Sequence, residues 1–130
     1  MGNHMNQIVL QQLKNFGYHY HALDKEQFHG FHCHNPLSQG EFFMLILPIQ
    51  ELLKKGVSTF ESFQQSIAQY VVLVIEVDHH LEEMAELLSE LIEKPNLTYL
   101  LFDPEEDIEF FLKDLWNVLV LVHQAKLSKN

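Results

Sequence analysis

Cysteine, glycine and basic side chains are scarce in this chain of 130 residues. Because Cys33 is its one cysteine, no disulfide can form within the chain, which indicates a reducing compartment and predicts a cytoplasmic protein. Five glycines offer little material for a phosphate-binding loop. No nucleophile elbow, zinc-finger spacing or RNA-binding signature occurs either. These absences point away from the common catalytic motifs, and we expect a protein that is not an enzyme.

The shortage of basic residues leaves a strongly acidic chain. Eight lysines and arginines stand against 18 acidic residues, which gives a formal net charge of -10. Such a field repels a phosphate backbone and an anionic lipid surface, so we expect no nucleic-acid partner and no membrane partner. A basic protein surface, a cation or a hydrophobic protein groove is the kind of partner that the charge favours.

Long uninterrupted apolar runs are also missing. A bilayer span needs roughly 18–20 apolar residues, and the longest candidates are broken by Pro48, Glu76 and Asn117. No secretory signal is visible at the start. Residues 1–4 resemble an expression-vector remnant ahead of a native Met5, and residues 127–130 are predicted to be a disordered tail. The length then predicts a single domain over residues 5–126.

The part richest in structural signals is the stretch of residues 57–103. Residues 70–77 contain five β-branched residues in eight and predict a buried strand. Helix-like segments stand before and after this strand, and a second apolar run closes the unit at residues 97–102. The pattern predicts a βαβ unit with a buried sheet. In the alternative, the helical spacing of apolar residues between Phe60 and Ile92 indicates one long helix and an all-α bundle.

The other elements are predicted from apolar spacing and from cap and turn residues. Ser58 and Glu61 form a capping box, and Asp103 with Pro104 and Glu106 predicts the start of the last helix. The predicted helices are 5–16, 48–55, 58–69, 79–94 and 104–126, with a β-hairpin at 18–34 and a strand at 42–47. The expected fold is one α+β domain: an N-terminal helix and a hairpin, then strands alternating with helices on a mixed sheet.

Histidines alternate with other residues along both strands of the predicted hairpin. If Leu23 pairs with Phe28, His19 opposes His32, and four histidines share one face of the ribbon: His19, His21, His32 and His34. Neutral imidazole is a good ligand for zinc, so these four are the candidate metal ligands and zinc the candidate cofactor. Alternating polar residues are equally typical of a strand with one solvated face. Cys33 falls on the opposite side and is expected in the core.

Acidic and histidine residues also follow the central strand. If the two strands of the βαβ unit are parallel, Asp78, His79 and His80 meet Asp103 at one edge of the sheet, where ligands often bind. This arrangement supports an alternative function as a metal-dependent hydrolase. A purely structural interpretation is available as well, because both aspartates are predicted to cap helices. The Glu-x-Lys pattern of metal-dependent nucleases is not matched, since Asp78 stands where the lysine is required.

The last predicted helix is apolar on more than one side. A surface helix carries a single apolar stripe, so a helix apolar all round needs further cover. A dimer or partner interface would supply that cover, and the candidate interface residues are Phe111, Leu112, Leu115, Trp116, Leu119 and Val122. In the alternative, the helix lies across the sheet and is buried within the monomer.

Together these features predict a small acidic protein–protein interaction module that acts as an adaptor, chaperone or inhibitor, either as a homodimer or bound to a partner. In size, acidity and order of elements the chain resembles type III secretion chaperones in layout, with no shared sequence motif. A metal-binding protein that uses the hairpin histidines is the first alternative function, and the hydrolase is the second.

Overall fold

A computed structural model describes residues 2–24, 28–37, 40–67, 70–77, 84–92 and 96–128. Within these ranges the helices are α1 (Gly2–Asn15), α2 (Ile49–Lys55), α3 (Val57–Ile67), α4 (Met84–Ile92) and α5 (Ile108–Ser128). The strands are β1 (His19–Asp24), β2 (His29–His34), β3 (Glu41–Pro48), β4 (Val71–Glu76) and β5 (Leu97–Phe102).

The five strands form one mixed sheet whose spatial order, β1-β2-β3-β4-β5, follows the sequence. The pairs β1/β2 and β2/β3 are antiparallel, whereas β3/β4 and β4/β5 are parallel. This sheet confirms the predicted α+β class. The all-α alternative is wrong, because β4 lies in the middle of the segment that a single helix would have occupied. Its β-branched side chains instead fill a sheet buried on both faces.

Successive residues of the central strands enter two different cores. Phe42 and Met44 of β3 pack in the core that α1 and α5 cover. Phe43 and Leu45 pack in the core that α2, α3 and α4 cover. The alternation of side chains along a strand produces this division. The parallel crossovers through α2–α3 and through α4 carry those three helices to a shared face.

The end of α1 is fixed by its own backbone and by Gly17. The Tyr18 N–H donates to the Leu13 carbonyl at 2.9 Å, and the Gly17 N–H donates to the Lys14 carbonyl at 3.0 Å. These two bonds form a Schellman motif, whose turning residue needs a positive φ, and Gly17 has φ 85°. The helix therefore ends at the predicted place, and the chain turns directly into β1.

Two predicted helix starts are corrected by the structure. Pro48 is the residue ahead of α2 and not its first helical residue. Ser58 lies inside α3, which begins at Val57, so the predicted capping box is wrong. The Phe60 N–H already donates to the Gly56 carbonyl at 3.3 Å, so the first turn of α3 takes its backbone acceptor from the linker and does not begin after Ser58.

The start of α5 is four residues later than predicted. The Asp103 carboxylate accepts from the Glu105 N–H at 2.9 Å, but this bond closes a turn that precedes the helix. The helix begins at Ile108, and the Asp107 carboxylate accepts from the Glu109 N–H at 3.2 Å. Asp107 is therefore the N-cap. The prediction failed because both aspartates can cap a helix, and Asp103 instead closes the turn that follows β5.

The termini of the described chain are helical. Residues 2–4 belong to α1, and α5 continues to Ser128, two residues past its predicted end. None of the helices among the described residues is both long enough and apolar enough to cross a bilayer.

Candidate functional site

The hairpin histidines share one face of the sheet, although their pairing differs from the prediction. In the β1/β2 ladder His19 is opposite His34, His21 is opposite His32, and Leu23 is opposite Gly30. The predicted pairing of Leu23 with Phe28 is therefore wrong by two residues. A shift of two preserves the side on which each residue lies, so all four histidines remain together. We call His19, His21, His32 and His34 the histidine face.

The opposite side of the same two strands is anchored in the core under α1 and α5. Cys33 is fully buried there, as predicted, and Tyr20 and Phe31 pack against the same core with their rings 5.9 Å apart. Burial raises the pKa of the Cys33 thiol to about 12. The histidine face is thus presented by strands whose other side is fixed by packing.

His34 is the centre of the histidine face. Its ring centroid lies 5.5 Å from that of His19, 6.2 Å from that of His21 and 6.3 Å from that of His32. The interplanar angles are 25°, 12° and 22°, so the rings are stacked nearly parallel. Every other histidine of the face is thus a direct neighbour of His34.

Two polar residues that follow β2 in the same chain stabilise this arrangement. The His32 ring nitrogen Nε2 lies 2.6 Å from the Glu41 carboxylate and donates a hydrogen bond to it. Asn35, directly after His34, donates from its side chain to the Phe16 carbonyl at 3.2 Å and accepts from the Leu37 N–H at 3.0 Å. Glu41 therefore orients His32, and Asn35 ties the end of β2 to the end of α1.

The histidine face borders two open clefts. One has a volume of about 470 Å³ and is lined by His21, His32, His34, Asn35, Pro36 and Glu41. The other, about 540 Å³, runs along β1 and is lined by Lys14, Gly17, Tyr18, His19, Tyr20 and His21. Because His19 and His21 are exposed, a ligand can reach the rings from solvent without displacing any described side chain.

The described side chains do not form a complete metal centre. Among them, no three histidine, cysteine, aspartate or glutamate groups are arranged to hold a metal ion. The stacked rings of the histidine face lie side by side and do not surround one point. A zinc site at the four predicted ligands therefore stays a prediction. One chain therefore offers a metal ion pairs of neighbouring imidazoles and not a complete set of ligands.

The predicted hydrolase site is only partly within the described residues. The strands β4 and β5 are parallel as that hypothesis requires, and the Val77 N–H donates to the Phe102 carbonyl at 2.9 Å. The Asp103 carboxylate closes the turn ahead of α5, in keeping with a structural role. Asp78, His79 and His80 lie outside the described residues.

The structure redistributes the candidate interface residues of α5. Phe111, Leu115, Leu119 and Val122 are buried in the core between α5 and the sheet, and Leu112 is half-buried. These residues belong to the side of the helix that meets β5 and the central strands. Of the six candidates, Trp116 is the one that is exposed, at 49%.

Large apolar side chains nevertheless remain on the outside of α5. Phe110 is 65% exposed, Leu121 56% and Val120 46%, and with Trp116 they form what we call the outward face. Phe110, Val120 and Leu121 lie off the apolar stripe that enters the core, and they are not among the interface residues predicted from the sequence. Their helical positions outside the buried stripe could have identified them from the sequence as exposed apolar residues.

Trp116 connects the outward face to α1. Its indole N–H donates to the Gln12 side-chain oxygen at 2.9 Å, and its ring meets Phe16 edge-on with centroids 6.0 Å apart. Trp116 therefore stabilises the contact between the two helices as well as contributing exposed surface.

The start of α5 adds strong negative charge beside the outward face. Six acidic residues and one lysine lie between residues 103 and 114, a net charge of -5, which is half of the chain's -10. Phe110 is within this acidic segment, and its charged neighbours along the helix, Glu109, Lys113 and Asp114, are all exposed. The surface around Phe110 is thus both apolar and anionic.

Comparison with known proteins finds no matching family model, curated protein or solved structure. The resemblance to type III secretion chaperones stays a prediction.

Proposed function

We propose that this chain is a small acidic protein–protein interaction module that holds a partner protein on the outward face of α5. It would act as an adaptor, chaperone or inhibitor. The partner surface that suits this face combines an apolar side chain with lysine or arginine residues.

The observation that carries the proposal is the exposure of Phe110, Trp116, Val120 and Leu121 on a helix whose other side is already core. Fully burying a large apolar side chain contributes roughly 1.5–3 kcal/mol. Aromatic residues are also enriched among those that dominate binding energy at interfaces. Four such side chains on one helix offer enough apolar surface to anchor a partner.

Charge decides which partner fits best. The acidic segment at residues 103–114 attracts a basic surface and repels a second acidic copy. A homodimer that used the start of α5 would bring two charges of -5 together, unless its contact were restricted to the end near Leu121. A basic partner gains from the same field and would associate faster at low salt.

The single tryptophan makes the proposal directly testable, because Trp116 lies on the outward face. The probe is an amphipathic helical peptide of leucine and lysine, compared with the same peptide carrying glutamate in place of lysine. We expect the lysine peptide to change Trp116 fluorescence saturably and to bind more weakly as salt is raised. Phe110→Ser and Leu121→Ser should each weaken binding by about tenfold or more, the loss of at least 1.4 kcal/mol.

Leu37→Ser is the matched control. Leu37 is 95% exposed, lies in the loop after β2 and is not part of the outward face, so its substitution should leave binding unchanged. Equal binding of both peptides, or binding insensitive to Phe110 and Leu121, would contradict the proposal. A stable wild-type dimer that Leu121→Ser dissociates, measured by light scattering, would assign the outward face to self-association instead.

A further inference from the structure

We propose that the histidine face binds a divalent transition-metal ion between two copies of the chain, with the His19 and His34 imidazoles of each copy as its four ligands. The proposal uses the β1–β2 side of the molecule and is independent of the outward face of α5.

The spacing of His19 and His34 suits a shared ion. A zinc–nitrogen bond of about 2.0–2.1 Å, with about 1.2 Å more to the ring centre, puts two tetrahedral imidazole ligands about 5.3 Å apart between ring centroids. The observed centroid distance is 5.5 Å with the rings stacked at 25°, so this separation suits a shared ion once both rings turn their nitrogens towards it. These two residues are direct cross-strand partners, so the strand pairing itself fixes their separation. The other two rings lie 6.2 Å and 6.3 Å from His34, farther than this geometry requires.

The two rings can turn towards an ion at little cost. His19 is exposed and His34 is partly exposed, so rotation about the side-chain bonds displaces no core packing. His32, by contrast, is hydrogen-bonded to Glu41 at 2.6 Å. Glu41 is the cross-strand partner of His34 in the β2/β3 ladder, and its carboxylate adds negative charge that favours a bound cation. Imidazole nitrogen prefers borderline ions such as Zn²⁺, Ni²⁺ and Cu²⁺.

A second copy is needed because the described part of one chain supplies no third ligand at this point. Structural zinc takes four ligands, and two histidine pairs complete that number. The edge position of β1 makes the approach possible, since its outer side pairs with no strand in the described sheet. The side chains that line the two clefts here include one acid, Glu41, and one base, Lys14. Repulsion between two acidic chains is therefore weaker here than at residues 103–114.

The test titrates Zn²⁺ alone into metal-free full-length protein, with calorimetry for stoichiometry and light scattering for mass. We expect half an ion per chain, conversion of monomer to dimer, and reversal by a chelator. His19→Ala and His34→Ala should each weaken binding by at least about tenfold, since even loss of an outer-shell partner costs 10–100-fold. His123→Ala, a histidine of α5, is the matched control and should behave as wild type.

Several results would overturn the inference. They are Zn²⁺ binding weaker than about 100 µM, one ion bound per monomer without a change in mass, and a zinc-linked dimer that survives His34→Ala. Circular dichroism and urea unfolding of each variant separate loss of ligand from loss of fold, and His34→Gln gives a second, polar replacement. Phe110→Ser should leave the zinc-linked dimer intact, so failure of the outward-face proposal and failure of this one are distinguishable.

Discussion

At Gly30, even the methyl group of alanine should destabilise the fold. A Cβ built there would overlap the Met44 carbonyl oxygen and lie 2.7 Å from Phe43 Cε1 and 2.8 Å from Leu45 Cδ2. The carbonyl belongs to β3, the strand to which β2 is paired through Gly30 and Leu45. No side-chain rotation can move it, so Gly30→Ala must push β2 away from β3.

The size of the effect follows from two opposing terms. Overpacking a tight interior typically costs about 1–3 kcal/mol, and the upper end applies because backbone is the obstacle. Replacing glycine by alanine also stiffens the unfolded chain, which offsets about 0.4–1 kcal/mol. We therefore expect Gly30→Ala to lower the free energy of unfolding by about 2–2.5 kcal/mol.

Urea unfolding measures this directly, and the sign of the change is decisive. With a slope of about 1–3 kcal/mol per molar urea, the midpoint should fall by about 0.7–2.5 M. If Gly30 did not lie against the Met44 carbonyl, alanine would only stiffen the unfolded chain, and the variant would be slightly more stable than wild type. An unchanged or higher midpoint would therefore refute the register of β2 against β3, and with it the placement of Glu41 beside the histidine face.

Three further predictions concern single side chains. Asp107→Ala should lower the free energy of unfolding, measured in urea, by about 0.5–2 kcal/mol through loss of the α5 N-cap. Asp103→Ala should lower it by less. A larger loss for Asp103→Ala would instead place the helix start at residue 104. The buried Tyr18 hydroxyl has no hydrogen-bond partner among the described residues, so Tyr18→Phe should raise the free energy of unfolding by about 1 kcal/mol, and a lower value would mean that the hydroxyl is bonded. Cys33 is fully buried, and burial raises its pKa from 9.0 to about 12, so a thiol reagent at pH 8 should label the native chain far more slowly than free cysteine. Above pH 9 the unfolded chain releases this proton while the folded chain keeps it, so the Cys33 contribution should lower stability as pH rises towards 12; labelling at the free-cysteine rate would place the thiol outside the core.

Element type was predictable wherever the signal was local. The β-branched run that became β4 needs no neighbour to disfavour a helix, and β5 spans the predicted residues, Leu97–Phe102. The end of α1 was predictable for the same reason, since Gly17 completes its motif with bonds to the preceding turn. Helix starts were less predictable, because Ser58 and Asp103 are competent caps whose use depends on where the preceding element ends.

The histidine face shows where prediction from the sequence stops. Alternation along a strand is local, so the grouping of four histidines on one side did not depend on knowing the register. Which histidines are cross-strand partners did depend on the register, because the pairing is set jointly by the hairpin turn and by the fit of Gly30 against β3. The contacts of His34 with three other rings and of His32 with Glu41 therefore emerged only when β1, β2 and β3 were placed together.

For α5, the sequence by itself determined that the helix is too apolar to be exposed on all sides, because that depends only on which residues follow one another. Which side is covered was decided by the tertiary structure. The sheet and α1 together bury the side that carries Leu115 and Leu119 and leave Phe110 and Leu121 outside. Burial is a property of the assembled surfaces, since the sheet can meet only one side of a helix that lies across it.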